Sequence, residues 1–280
     1  MGSLRTNDDL KSILRTELRA FCASRKDSWT DGVYQTVKDL LELRTRAVFF
    51  GGALRSLLLG RLYFNRPGRP RDLDIVVEGL ETDELQRKFS DFIVRRTRFG
   101  GLQLRRMNWA IDIWPLHTTW AFSALNMPAR TFADLPRTTT FNIESVAATV
   151  SGEGESDRTV FSGDDQFFDA IRTRTLDLNL AENPFPDLCV VRALSFAAKY
   201  DFKVARRLAE FLVRYGRSMN ADQYEFVQCR YYGRTLRSGE TMLDWVRYLD
   251  DSLESSEDAS FKLPMARQLK LWPDLHEHWD

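Results

Sequence analysis

Residues 49–78 read FFGGALRSLLLGRLYFNRPGRPRDLDIVVE, and this stretch decides the fold. A short apolar strand, 47–50, runs into the Gly51-Gly52 turn. A helix follows to about Leu59, and residues 61–71, with two prolines and a glycine, read as a loop. The next strand, 72–77, carries Asp72 and Asp74 on one face, because successive strand side chains point to opposite sides. Two neighbouring carboxylates repel each other, a conflict that a divalent cation removes and that a nucleoside triphosphate would bring one to resolve. Nucleotidyl transfer is therefore the leading expectation.

Working outward, a second acidic strand comes at 109–114, where Ala110, Asp112 and Trp114 share a face opposite Ile111 and Ile113. If the two strands are adjacent, Asp72, Asp74 and Asp112 converge. Three buried charges demand a cation, and oxygen-only ligands favour Mg²⁺, with Mn²⁺ as the substitute. Gly51 and Gly52 admit phosphate oxygens close to the backbone, the following helix adds its positive end, and Arg55 lies one turn in.

Elsewhere, helical spacing links Leu10, Ile13, Leu14, Leu18 and Phe21, then Val33, Val37, Leu40 and Leu41, with a break at 27–31. A helix is expected at 82–89, then a hairpin (92–98, a turn at Gly100-Gly101, 102–107). Residues 137–150 are ambiguous, and 151–165 are a polar loop or hairpin. Helices are expected at 166–172, 187–199, 202–215, 220–233, 240–252 and near 263–271. The expected class is α+β. Helices over 1–46 pack on a mixed-sheet palm at 47–155, and an all-helical domain occupies 156–280.

Composition narrows the function classes. The 280 residues carry 43% hydrophobic and 12% aromatic residues, enough for a soluble core. No apolar run approaches the roughly 20 residues of a membrane span, and the N-terminus has no signal-peptide segment, so the expected location is cytoplasmic. Formal charge is zero, so no global basic field draws nucleic acid. Arginine far outnumbers the eight lysines, a bias that suits phosphate recognition and equally a GC-rich genome. Cys22, Cys189 and Cys229 are isolated, and His117, His276 and His278 are too few for a zinc site or a Ser-His-Asp triad. Arg95, Arg96, Arg98, Arg105 and Arg106 cluster around the hairpin, where they either guide an RNA backbone or form a solvated surface. Trp109, Trp114 and Trp120 read first as core, with base stacking as the alternative.

With these motifs in place, residues 49–78 resemble the head of the class II CCA-adding enzymes and bacterial poly(A) polymerases, within the DNA polymerase β nucleotidyltransferase superfamily. GGALRSLLLGR follows the family's Gly-Gly-x-[Val/Leu]-Arg-Asp turn and Leu-Leu-Gly helix end, DLDIVV its D-x-D strand, and AIDIWPL (110–116) its third carboxylate. FNIESVA (141–147), GDDQFFDAIRTRTL (163–176) and VRALSFAAKYDF (191–202) are collinear, weaker matches, and the resemblance spans about residues 47–215. It implies a polymerase-β-like palm with a helical neck, a metal site at Asp72, Asp74 and Asp112, and a nucleotide site at Gly51, Gly52, Arg55 and Ser56. The implied reaction passes NMP from ATP or another NTP to a hydroxyl, with an RNA or tRNA-like 3′ end as acceptor.

Departures limit the carry-over. Ser56 stands for the first motif's aspartate, and Thr138, Thr139 and Thr140 stand for an Arg-Arg-Asp. Phe185, Pro186 and Cys189 stand where the family's Glu-Asp-x-x-Arg reads the incoming base; Asp187 and Arg192 offer a shifted substitute. About 80 residues follow the neck match, so the acceptor is expected to be a smaller RNA, another part of tRNA, a protein or a small molecule. Two further readings stay open: a toxin or defence protein modifying tRNA or protein, and a catalytically silent nucleotide or RNA binder.

Overall fold

In the computed structural model, the described residues are 6–23, 28–66, 68–127, 130–150 and 158–264. They fall into two compact units, 6–138 with 144–168 and 139–143 with 169–264.

The first unit holds α1 (Asn7–Ala23) and α2 (Ser28–Glu42); α2 begins inside the expected 27–31 break, with Asp31 in its first turn, and residue 27 lies outside the described residues. Leu10, Leu14, Leu18 and Phe21 form the buried stripe of α1. β1 (Arg46–Phe50) leads into α3 (Gly52–Phe64), and α1 packs on α3. Glu17, buried on α1, accepts from Arg61 Nε at 2.6 Å. Then come β2 (Asp72–Glu78), α4 (Thr82–Lys88), β3 (Ile93–Arg96), β4 (Leu102–Arg106), β5 (Trp109–Pro115) and the short α5 (Trp120–Ala124). The ambiguous segment resolves into two 3-10 turns, Phe132–Thr138 and Asn142–Glu144, and β6 (Ala147–Thr149); β7 (Val160–Phe161) and α6 (Gln166–Thr173) follow.

Seven strands make one mixed sheet in the order β3-β4-β5-β2-β1-β6-β7. β2 and β5 pair in parallel, and the other neighbours are antiparallel. One face carries Leu73, Ile75, Leu102, Leu104, Ile111 and Ile113, all buried. The other face is divided along its length. At one end Val48, Val76 and Ala147 join Leu116, Phe122, Phe132 and Leu135 in an apolar cluster, with Phe50 and Trp114 against it. At the other end stand the acidic residues.

The helix after Gly-Gly runs five residues past the expected Leu59, so the loop starts at Asn65. Asn65 closes α3 in the left-handed conformation (φ 49°), donating its N–H to the Gly60 carbonyl. Gly60 and Gly68 lie backbone to backbone, and a Cβ on Gly68 would overlap the Ser56 carbonyl. The two glycines thus let the proline-containing loop close down on the helix.

The second unit holds β8 (Thr175–Leu176), α7 (Pro186–Tyr200), β9 (Lys203–Ala205), α8 (Arg206–Gly216), α9 (Ala221–Tyr232), α10 (Gly239–Ser255) and β10 (Ser260–Lys262). Its helices come where spacing places them, with one correction: residues 203–205 are a strand, and α8 begins only at Arg206. That strand is the centre of a three-stranded sheet, β10-β9-β8, added to an otherwise helical unit. The helix expected near 263–271 lies, beyond Pro264, outside the described residues, as do His276 and His278.

Candidate active site

Register decides what the sheet presents. In the parallel β2–β5 pair Asp74 stands opposite Asp112, and Asp72 opposite Ala110. Parallel neighbours lie about 4.8 Å apart, so all three carboxylates occupy one face of adjacent strands, at the end away from the apolar cluster. Asp112 is half-buried, and Gln103 Nε2 donates to its Oδ1 at 3.1 Å. Its carboxyl is pushed above the ordinary 3.8, chiefly by burial and also by the negative charge of Asp72; the Gln103 hydrogen bond and the Arg95 and Arg71 charges pull the other way. Asp72 accepts two hydrogen bonds from Arg71, from Nη2 at 2.7 Å and Nε at 3.2 Å.

In kind, three carboxylates on one face suit a hard divalent cation. In position they are not gathered: among the described residues no group of three or more His, Cys, Asp or Glu is close enough to hold a metal ion, and Asp72 is drawn to Arg71.

The glycine turn lies beside these strands, since Phe50, the last residue of β1, pairs with Asp74. Gly51 has φ 62° and ψ −113°, a conformation closed to side-chain-bearing residues, and its N–H donates to the Val146 carbonyl at 2.9 Å. That amide is committed to the protein. Phosphate at this turn would meet the amides that follow, at the α3 N-terminus. A Cβ on Gly52 would make only ordinary contact, with Arg55 Nη2. Arg55 Nη1 donates to Glu144 Oε1 at 2.5 Å, and both side chains are nearly buried. The Ser56 hydroxyl donates to the Gly52 carbonyl inside its own helix. The Gly51-Gly52 turn thus lies beside the strands of Asp72, Asp74 and Asp112, and Arg55 and Ser56 follow in the first turns of α3 on the same unit.

Arg192 belongs to the second unit, on α7, with its guanidinium 5.7 Å from the Phe141 and Phe196 ring centres. Of the threonines standing for Arg-Arg-Asp, two are hydrogen-bonded within this second unit: Asn179 Nδ2 donates to the Thr139 carbonyl and hydroxyl, and Asn183 Nδ2 to the Thr140 hydroxyl. Phe185 precedes α7, Pro186 is its first residue, and Cys189 is buried. Trp109 is buried against Phe21, Trp114 lies against the apolar cluster, and Trp120 lies edge-on to Phe99. His117 Nε2 is 3.4 Å from Glu81, beyond the C-terminal end of β5.

Sequence reasoning missed Glu144, Gln103 and Arg71. Gln103 was detectable, since LQLRR alternates and places it on the polar face. Glu144 sits in a 3-10 turn with no periodicity to read.

This sheet, with its glycine turn and acidic strand pair and a largely helical unit after it in the chain, has the fold of solved CCA-adding and tRNA-processing enzymes. Solved structures share the fold. The Thermotoga maritima CCA-adding enzyme complexed with tRNA matches with a TM-score of 0.58 and 16% identity, over 83% of this chain and 54% of that one. A CCA-adding enzyme with ATP matches at 0.57 and 17%, over 84% and 53%. A tRNA-processing enzyme in its apo form matches at 0.54 and 18%, over 79% and 56%. The chain spans about half the length of these structures. No family model and no curated protein matches the sequence. The fold expected from residues 49–78 is the fold observed.

Proposed function

We propose that the protein is a metal-dependent nucleotidyltransferase that moves NMP from an NTP to a hydroxyl at an RNA, tRNA-like 3′ end, releasing pyrophosphate. The observation that carries this reading is the β2–β5 register, which sets Asp74 against Asp112 with Asp72 on the same face, beside the glycine turn. Structures with this fold include one with ATP, one with CTP and one complexed with tRNA, which supports NTP and RNA as partners. Asp72, Asp74 and Asp112, which share one face without forming a ready-made metal group, are the residues that would hold Mg²⁺, or Mn²⁺ in its place; the ion would supply charge neutralisation for the triphosphate and acidification of the attacking hydroxyl. The α3 N-terminus receives phosphate oxygens, and Arg55, with Glu144 as its counter-charge, flanks them. Asp112 accepts the proton of the attacking hydroxyl. Its Oδ1 is held by Gln103, and a pKa above the ordinary carboxylate value suits a base. No described helix is long and apolar enough to cross a membrane, which is compatible with a cytoplasmic setting for this activity.

A silent nucleotide or RNA binder is the second reading, favoured by the Arg71–Asp72 pair and the ungathered carboxylates. Incubation with each labelled NTP, total RNA and Mg²⁺ or Mn²⁺ separates them. Label on RNA that Asp74→Asn abolishes supports transfer. Label on protein supports a modifying toxin, and no incorporation with either metal leaves the silent binder.

A further inference from the structure

The five arginines of the β3–β4 hairpin, equivalent in sequence, are sorted by the sheet. Arg96 pairs with Leu102 across the strands and lies on the helix-covered face, where it is ion-paired with Asp83 at 2.6 Å. Arg106 lies on that face too, ion-paired with Asp39 and stacked on Phe92. Arg98 is in the turn, 5.8 Å from the Phe99 ring centre.

Arg95 and Arg105 go the other way. Arg95 stands opposite Gln103, Gln103 opposite Asp112, and Asp112 opposite Asp74. One lateral row of the sheet therefore reads Arg95, Gln103, Asp112, Asp74 across four strands. The next row reads Arg105, Ala110, Asp72. Hydrogen bonds run along the first row: Arg95 Nε donates to Gln103 Oε1 at 3.0 Å, and Gln103 Nε2 donates to Asp112. Neither Arg95 nor Arg105 has an ion pair among the described residues, and both are exposed. Buried Leu102 and Leu104 fix this alternation from the other face.

The polar face thus changes sign, from acidic on β2 and β5 to basic on β4 and β3. At about 4.8 Å per strand, Arg95 lies about 10 Å from Asp112 along the row. A carboxylate cluster repels phosphate, and two arginines without acidic partners at its edge attract it. We propose that Arg95 and Arg105 form a lane for the phosphodiester backbone of a single-stranded RNA acceptor, with its 3′-hydroxyl delivered to Asp112 and Gln103 holding that carboxylate in line. Arginine contacts to phosphate carry no base information, so the lane accepts RNA of any sequence.

This inference names the acceptor of the proposed reaction and rests on that reading, but its test does not need catalysis. Binding of a fluorescein-labelled single-stranded oligoribonucleotide is followed by anisotropy in magnesium chloride without NTP. The Arg95→Ala/Arg105→Ala double variant is expected to bind about tenfold more weakly, with the slope of log K against log salt smaller by about 1.4, roughly 0.7 for each phosphate that is no longer neutralised. Arg96→Ala, which removes the same charge from the opposite face, is expected to bind as wild type. Circular dichroism and Tm check that all variants fold. Wild-type affinity in the double variant, an equal loss in Arg96→Ala, or no RNA binding by the wild type would overturn the lane. Nucleotidyl transfer to RNA with an unaffected double variant would sink the lane and leave the reaction. Lost binding in a protein that transfers nothing would do the reverse.

Discussion

Asp112 carries two loads, a charge held half out of water and a neighbour of the same sign. A carboxyl whose pKa rises on folding favours its protonated form in the native state. Its stabilising contribution is present below the ordinary carboxylate value and is lost as pH rises through the folded one. Asp112→Asn removes that burden and keeps an Oδ1 to accept from Gln103. Without divalent cations the variant is expected to melt on the order of 2 °C higher at neutral pH, with the gain vanishing as pH falls to about 3. Calorimetry across pH checks both the sign and the window. The same substitution should lower transfer by at least about 100-fold, read as kcat. A variant that loses activity and gains stability identifies a functional carboxylate; one that loses both points to a structural acid.

Arg55 and Glu144 behave differently, because their nearly buried side chains form an ion pair. Glu144→Ala removes the carboxylate beside a nearly buried guanidinium and is expected to cost about 3 kcal/mol in urea unfolding. Replacing both, as Arg55→Met with Glu144→Leu, should cost clearly less than the single change. Equal costs would mean the pair is not coupled in solution.

The elements that could be read from sequence were those with a strong period or a forced turn. β2 and β5 were legible because acidic residues interrupt alternating aliphatics, and the glycine turn because Gly51 needs a positive φ. Gly51→Ala should accordingly cost about 1–3 kcal/mol, measured by denaturant unfolding. The end of α3 was misread, since Gly60 and Pro67 look like breakers; the close approach of Gly68, a tertiary contact, lets the helix continue. β9 was absorbed into a helix because three residues show no period, and only pairing with β8 and β10 makes them a strand. At the site, the three carboxylates could be placed from alternation and one assumed pairing. The partners of Arg55 and Asp72 could not, because both depend on loop geometry.

At the level of the whole chain, the residues standing where the resembling enzymes read the incoming base are spent on other tasks. Phe185 and Pro186 start α7, and Cys189 is buried. Selection among the four NTPs is therefore expected to be weak, below about tenfold in kcat/KM. A preference on the order of 100-fold would show that other groups in the chain recognise the base, with Asp187 and Arg192 the first to test.

The parallel join between β2 and β5 also bears on how the protein is made. Parallel neighbours cannot be linked by a tight turn, and here the connection winds through α4 and the β3–β4 hairpin before Asp112 can dock. Contacts so distant along the chain form slowly. A nascent chain that has emerged only as far as β2 holds the glycine turn and its first two acids, yet the third arrives only when the crossover closes. Assembly of the acidic face is thereby tied to closure of that crossover.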